Sequence, residues 1–269
     1  MRIGDYRIER ELHREDTGVV YLGAHLVLPR RASIKVANDR GLGIQLLREA
    51  CILEALSHPG IPRVYECGVL ERTPQLFGGA APVVDDRRPW SAQQYVDGHA
   101  IAAPIPVAEL TTVVRDVAEI LAHAHGRGIT HGGVDRDAVV RTPGARFPLC
   151  LRNWGEASTL DTEARTPIDP REDVRMLGAL ALEVLSGTRS TAGAAETCPW
   201  APVELTALLD RMLDDSDLTA SELHEQASWL AATIELIPTK PRWTPAYGLG
   251  DRSPTEPEFQ IRISRTPTS

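Results

Sequence analysis

Residues 129–140 read Ile129-Thr130-His131-Gly132-Gly133-Val134-Asp135-Arg136-Asp137-Ala138-Val139-Val140. A polar, glycine-containing segment here leads into the apolar run Ala138-Val139-Val140. The stretch follows an amphipathic stripe, Leu110, Val113, Val114, Val117, Ile120 and Leu121, whose spacing predicts one long helix. Beyond it, Met176 to Leu185 is apolar nearly all round, which predicts a helix buried in the middle of a helical lobe. Val203, Leu205, Leu208, Leu209, Met212 and Leu213 form another stripe, and Leu223 to Ile234 one more. After Pro238 the composition shifts to Pro, Thr, Arg and Ser without periodicity, so we read a flexible or loosely docked tail.

Upstream of the opening stretch the period is different. Tyr6 to Leu12 alternates, and Val19-Val20-Tyr21-Leu22 resumes after the polar turn His13 to Gly18. Ala32 to Ala37 follows as a third strand. Ile44, Leu47, Ala50, Cys51 and Leu56 then keep helical spacing, ended by His58-Pro59-Gly60. Two more strands are expected, Arg63 to Leu70 and Trp90 to Val96, with a surface loop over Thr73 to Pro89. Neighbouring short strands suit an antiparallel sheet. The expected fold is α+β: a small antiparallel β lobe with one helix, residues 1–98, and a larger helical lobe, residues 99–237. A cleft lies between them, and residues 238–269 form the tail.

Bulk properties narrow the function classes. The 269 residues carry a net charge of −8 and a 42% apolar fraction, ordinary for a globular chain and giving no general pull toward nucleic acid or anionic membrane. No apolar run approaches the length of a bilayer-spanning helix, and Arg2 and Asp5 interrupt the place of a signal peptide, so a cytoplasmic protein is expected. Cys51, Cys67, Cys150 and Cys198 are scattered, without metal-ligand spacing, and read as free thiols serving as small buried hydrophobes.

Seven landmarks stand in a telling order. Ala32-Ser33-Ile34-Lys35 resembles the third-strand lysine motif of protein kinases, and Arg48-Glu49-Ala50 the helix whose glutamate pairs with that lysine. Leu56 to Ile61 resembles the turn that follows, and Gln94-Tyr95-Val96-Asp97-Gly98 the hinge between lobes. Residues 129–140 fall at the catalytic loop, Leu151-Arg152-Asn153-Trp154-Gly155 at the DFG segment, and Asp173 to Gly178 at the start of the buried central helix. From about residue 4 to residue 235 the chain resembles the protein-kinase-like superfamily, nearest to bacterial serine/threonine protein kinases.

The resemblance assigns roles residue by residue. Phosphoryl transfer needs a phosphate cradle, Mg²⁺ and an aspartate that orients and deprotonates the acceptor hydroxyl. Aligned on Gly18-Val19-Val20, the first two cradle glycines are replaced by His13 and Glu15, whose segment also suits an ordinary polar hairpin turn. Gly133 stands where the catalytic aspartate belongs and has no side chain to do its work. Asp135 and Asp137, two and four residues on, suit capping or solvated roles. Ala138 and Asn153 replace the two metal ligands, so no metal is expected. Lys35 and Glu49 are retained, either to hold phosphates or as a structural salt bridge. His131 and Asp173 are expected to support the fold, with Asp173 bonding the backbone of the His131 loop. Trp154 is expected to fill a hydrophobic column, and Gln93 to stand at the back of the adenine pocket. The segment from Gly155 to Asp173 is short for an activation loop and contains no A-P-E triplet. His123, His125 and His131 invite a metal reading that their spacing does not favour.

The expected function is therefore that of a pseudokinase: a regulatory or scaffolding binding module whose catalytic residues are none. If its cleft holds nucleotide, the candidates are Lys35, Glu49, Gly18, Gln94 and Val96, with ATP or ADP bound free of metal. Its expected partner is a protein, namely a kinase, a phosphopeptide-reading domain or a complex subunit, with no nucleic acid and no membrane. Thr-Pro and Ser-Pro pairs at Ser253-Pro254 and Thr266-Pro267 are either targets of a partner kinase or ordinary features of a solvated tail. A divergent transferase using Lys35 and Glu49 in an altered geometry, and a structural subunit with a collapsed cleft, are the alternatives.

Overall fold

The computed structural model describes residues 1–39, 41–70, 87–159, 169–214 and 217–234. The expected tail, most of the loop after Thr73, and Pro167-Ile168 lie outside the described residues.

The chain opens with strands β1 (Arg2–Ile3), β2 (Tyr6–Arg14), β3 (Gly18–His25) and β4 (Arg31–Ala37), then helix α1 (Gly43–Ala55) and strands β5 (Val64–Val69) and β6 (Pro89–Gln94). They form one antiparallel sheet in the order β1-β2-β3-β4-β6-β5. Alternation in β4 sends Ala32, Ile34 and Val36 to the core while Lys35 faces the cleft side, as period 2 requires. The small-lobe core gathers Ile3, Tyr6, Val19, Ile34, Trp90 and Ala92 among others.

After β7 (His99–Ala100) the chain turns helical in α2 (Val107–His125). All six residues of its stripe are buried, at about 1.5–3 kcal/mol for each large side chain. Short strands β8 (Ile129–Thr130), β9 (Val139–Arg141) and β10 (Leu149–Leu151) carry the loops of the site, followed by a 3₁₀ turn at Trp154–Glu156 and β11 (Ser158–Thr159). Helices α3 (Pro170–Ser186), α4 (Ala194–Thr197), α5 (Val203–Leu213) and α6 (Ala220–Thr233) complete the large lobe. The start of α3 is built locally: Asp169 caps it by accepting from the Arg171 N–H, and Pro170 fits the first turn, where its missing donor costs nothing.

Two expectations are corrected. The buried face of α1 is Leu46, Glu49, Ala50, Ile52 and Leu53, while Ile44 is 75% exposed and Leu47 and Cys51 are exposed too. The helix sits at the joint between the lobes, with Ile52, Leu53 and Leu56 in the large-lobe core, so its inner face is centred on a carboxylate. Among the cysteines all four are free thiols, but only Cys150 and Cys198 are buried; Cys67, like Cys51, is exposed. Burial pushes the Cys150 thiol up to about 12, which leaves it inert.

Candidate functional site

The cleft between the lobes is a cavity of about 490 Å³, within the range that holds small molecules. Leu12 and Val20 roof it, Lys35 and Glu49 form its back, Gln94 to Val96 run along the hinge, and Arg152 and Asn153 lie on its floor. Of the proposed nucleotide residues the fold brings Lys35, Glu49, Gln94 and Val96 together here. Gly18 does not join them. It pairs with Ala37 across the sheet, and a Cβ on it would come 2.4 Å from the Val36 carbonyl oxygen, so close strand packing requires this glycine.

Lys35 is the electrostatic centre. Its Nζ lies 3.2 Å from Glu49 Oε2 and 2.7 Å from Glu15 Oε2. Burial works to lower the lysine pKa, but Glu49 and Glu15 outweigh it and hold the ammonium above its ordinary value. Burial likewise works to raise Glu15, and Lys35 and His13 overcome it, holding that carboxyl below its usual value. Gln93 donates from Nε2 to the other Glu49 oxygen at 3.1 Å, so the residue behind the hinge braces the ion pair.

The roof is a tight hairpin. Glu15 and Gly18 exchange backbone hydrogen bonds at 2.8 and 3.3 Å around the turn Asp16-Thr17. Asn38 staples that turn: its amide donates to the carbonyls of Asp16 and Glu15 at 2.9 and 3.3 Å, and its backbone N–H to Thr17 at 3.0 Å. The polar-turn reading of His13 to Gly18 matches this geometry better than an open cradle of backbone donors does.

The floor is braced from below. Asp173, fully buried, accepts from the His131 and Gly132 N–H groups at 2.8 and 2.7 Å and contacts His125 Nε2 at 2.8 Å. His131, also fully buried, contacts the Arg152 carbonyl through Nε2 at 2.9 Å and accepts the Gly133 N–H at Nδ1, 3.2 Å. Its ring meets Trp154 edge to face at 4.6 Å. Trp154 is 1% exposed and donates to the Leu151 carbonyl at 2.9 Å. Burial lowers the His131 pKa despite the nearby Asp173 carboxylate.

The positions assigned to chemistry look different. A Cβ on Gly133 would meet only the His131 ring, at 3.9 Å, so nothing in the packing demands glycine. Ala138 is fully buried, a methyl in the large-lobe core. Asn153 is exposed, in the left-handed region at φ 67°. Asp135 folds back to accept from the Asp137 and Ala138 N–H groups at 3.0 and 2.8 Å, a capping use. Arg152 donates from Nε to the Asp137 carbonyl at 3.1 Å, which brings a cation beside the segment that carries Ala138. A neutral amide, a methyl and a guanidinium do not match hard, oxygen-seeking Mg²⁺. Among the described residues there is no cluster of three or more His, Cys, Asp or Glu that could hold a metal. His123 is committed to accepting the Ser57 N–H at 3.2 Å.

Sequence reasoning missed the Glu15–Lys35 contact, the Asn38 staple and Arg152. The first had a signal in strand register, since His13 pairs with Val20 and Val20 with Lys35. Glu15, two residues beyond His13, therefore lies toward the same face as the lysine.

Fold and cleft together define a two-lobed protein-kinase-like domain, and the chain is similar to bacterial serine/threonine protein kinases. The serine/threonine-protein kinase PknJ of Mycobacterium tuberculosis is 29% identical over 194 residues, covering 68% of this chain and 30% of that protein. Pkn2 of Myxococcus xanthus is 26% identical, over 91% of this chain and 34% of its own length. The crystal structure of the Mycobacterium tuberculosis PknI kinase domain matches with a TM-score of 0.63 at 25% identity, covering 85% of this chain and 97% of that one. The chain spans about a third of the length of these curated relatives. No family model matches it. Among the described residues no helix is long and apolar enough to cross a membrane.

Proposed function

We propose that this domain does not transfer phosphate and works as a binding module, regulatory or scaffolding, in bacterial signalling. The observation that carries the reading is the chemistry of the cleft floor. Gly133, Ala138 and Asn153 supply no carboxylate at the positions the resemblance gives to base and metal, and the Arg152 side chain, bonded to the Asp137 carbonyl, adds a cation to the floor. Its partner is a protein: a kinase, a phosphopeptide-reading domain or a subunit of a complex. Any nucleotide in the cleft is held without metal: the retained Lys35 favours a phosphate there, and Glu15, 2.7 Å from the same ammonium, opposes one.

The test is transfer of labelled phosphate from ATP, with Mg²⁺ or Mn²⁺, to the chain itself and to general protein substrates. The expected result is incorporation no higher than in the Lys35→Met variant. Metal-dependent incorporation that Lys35→Met abolishes overturns the proposal. It would support the second reading, a divergent transferase, which the 3.2 Å Lys35–Glu49 contact favours.

A further inference from the structure

The shortest ion pair in the cleft is made by a residue of the roof. Glu15 brings Oε2 to 2.7 Å from Lys35 Nζ, closer than Glu49 at 3.2 Å. The carboxylate is built in. His13 Nε2 contacts its other oxygen at 2.9 Å, the backbone of Glu15 closes the hairpin with Gly18, and Asn38 pins the turn. An anionic ligand that used Lys35 would have to displace this group and rehydrate it beside a second carboxylate, Glu49.

The other charges give such a ligand little compensation. Three acids line the cavity, Glu15, Glu49 and Glu156, against two fixed cations, Lys35 and Arg152, a formal sum of 3 negative and 2 positive charges, or −1. Arg152 is already bonded to the Asp137 carbonyl. Like charges brought close together in a partly buried cleft repel far more strongly than they do in bulk water. The remaining walls suit an uncharged, flat ligand. Leu12 and Val20 offer apolar faces from the roof and Val96 one from the hinge, with the polar side chains of Ser33 and Gln94 on the same cavity.

We propose that Glu15 is a specificity-determining residue: it occupies Lys35 in place of a ligand's phosphate, so that the cleft takes uncharged heteroaromatic ligands of nucleoside size and rejects their phosphorylated forms. This rests on the reading of the cleft as a binding site.

Adenosine and ADP share a base and sugar and differ in phosphate, so as probes they isolate that term. Titration calorimetry and thermal melts of the full chain are run in EDTA on the wild type and Glu15→Gln, which removes the charge and keeps the shape. The expected result is that wild type binds adenosine and is not stabilised by ADP at millimolar concentration, while Glu15→Gln gains at least about tenfold in ADP affinity and keeps its adenosine affinity. Asn38→Ala, which frees the turn without touching the carboxylate, gains ADP affinity to a smaller degree. Wild type binding ADP as tightly as Glu15→Gln, or neither protein binding either probe, overturns the proposal. Phosphate transfer, assayed separately, reports on the inactive-module reading, so the two failures are told apart.

Discussion

The floor and the roof of the cleft treat their polar groups in opposite ways. On the floor, Asp173 and His131 are fully buried and together satisfy three backbone N–H groups of one loop, those of His131, Gly132 and Gly133. On the roof, Glu15 and His13 are partly exposed and serve one another and Lys35. Asp173 and His131, two positions that match the family, are ones whose loss would strand backbone donors. Gly133 and Asn153, which depart from it, are sites where packing is indifferent. A fold can lose chemistry at exposed positions at little cost, but it cannot lose the groups that satisfy its own backbone. The difference between floor and roof is therefore one of stability against ligand choice.

The floor gives the largest expected effect. Asp173→Ala leaves the His131 and Gly132 N–H groups without their acceptor in a dry interior, a loss of about 3–5 kcal/mol. A melting temperature lower by roughly 10 °C or more is expected in calorimetry. A shift of only a degree or two would break the comparison, because the floor would then be no more demanding than the roof.

Restoring family residues sharpens it. Gly133→Asp and Asn153→Asp enter open or exposed positions and should each change stability by less than about 0.5 kcal/mol. Ala138→Asn places an amide where a methyl is fully buried, and should cost about 2–3 kcal/mol through overpacking and unmet hydrogen bonds. Urea unfolding of the three variants reads this directly. If all three are neutral, Ala138 has room that its burial conceals, and the metal positions would be open to restoration.

The same contrast governs how much was legible in the sequence. The α2 stripe was readable because Leu110 to Leu121 faces a single core, so period 3.6 and burial coincide. The α1 face was not, because its inner surface meets both lobes and includes the charged Glu49 between Leu46 and Leu53. Counting only apolar positions rotated that face toward Ile44 and Cys51. On the floor, Asp173, His131 and Trp154 followed from their places in ordered motifs. On the roof, the partner of Lys35 depends on the register of three strands and on how far the hairpin folds down, which no single segment encodes. Asn38 lies more than twenty residues from the turn it staples.

Lys35→Met tests the roof and the back wall together. It removes an ammonium 14% exposed at its side chain from between two carboxylates, leaving Glu49, 8% exposed, with Gln93 as its remaining hydrogen-bond donor. That donor limits the damage, so about 1–2 kcal/mol of destabilisation is expected. A double-mutant cycle with Glu15→Gln separates the two carboxylates. An unchanged melting temperature in Lys35→Met would mean that the pairs contribute nothing to the small lobe.

The smallest expected effects are in pH, and there the two regions separate by window. His131 is held neutral: Nδ1 accepts the Gly133 N–H, so a proton on that nitrogen would face another proton. Its folded pKa is lowered, chiefly by burial, so the unfolded chain binds the proton first, and stability falls as pH drops below about 6.5. One such proton is worth at most about 1.4 kcal/mol per pH unit. His123, lowered by burial and by Arg127, acts with the same sign, and a His131→Asn variant separates the two. Glu15 is depressed in the fold, so its contribution is present above the ordinary carboxylate value near 4.5 and is lost only as pH falls through its lower folded value. Melting temperature measured from pH 8 to pH 3 should therefore decline in two segments. His131→Asn should weaken the first, and Glu15→Gln should flatten part of the second and leave the first unchanged. A profile level from pH 7 to pH 5 would show that His131 accepts its proton inside the fold, and the floor would then be as adaptable as the roof.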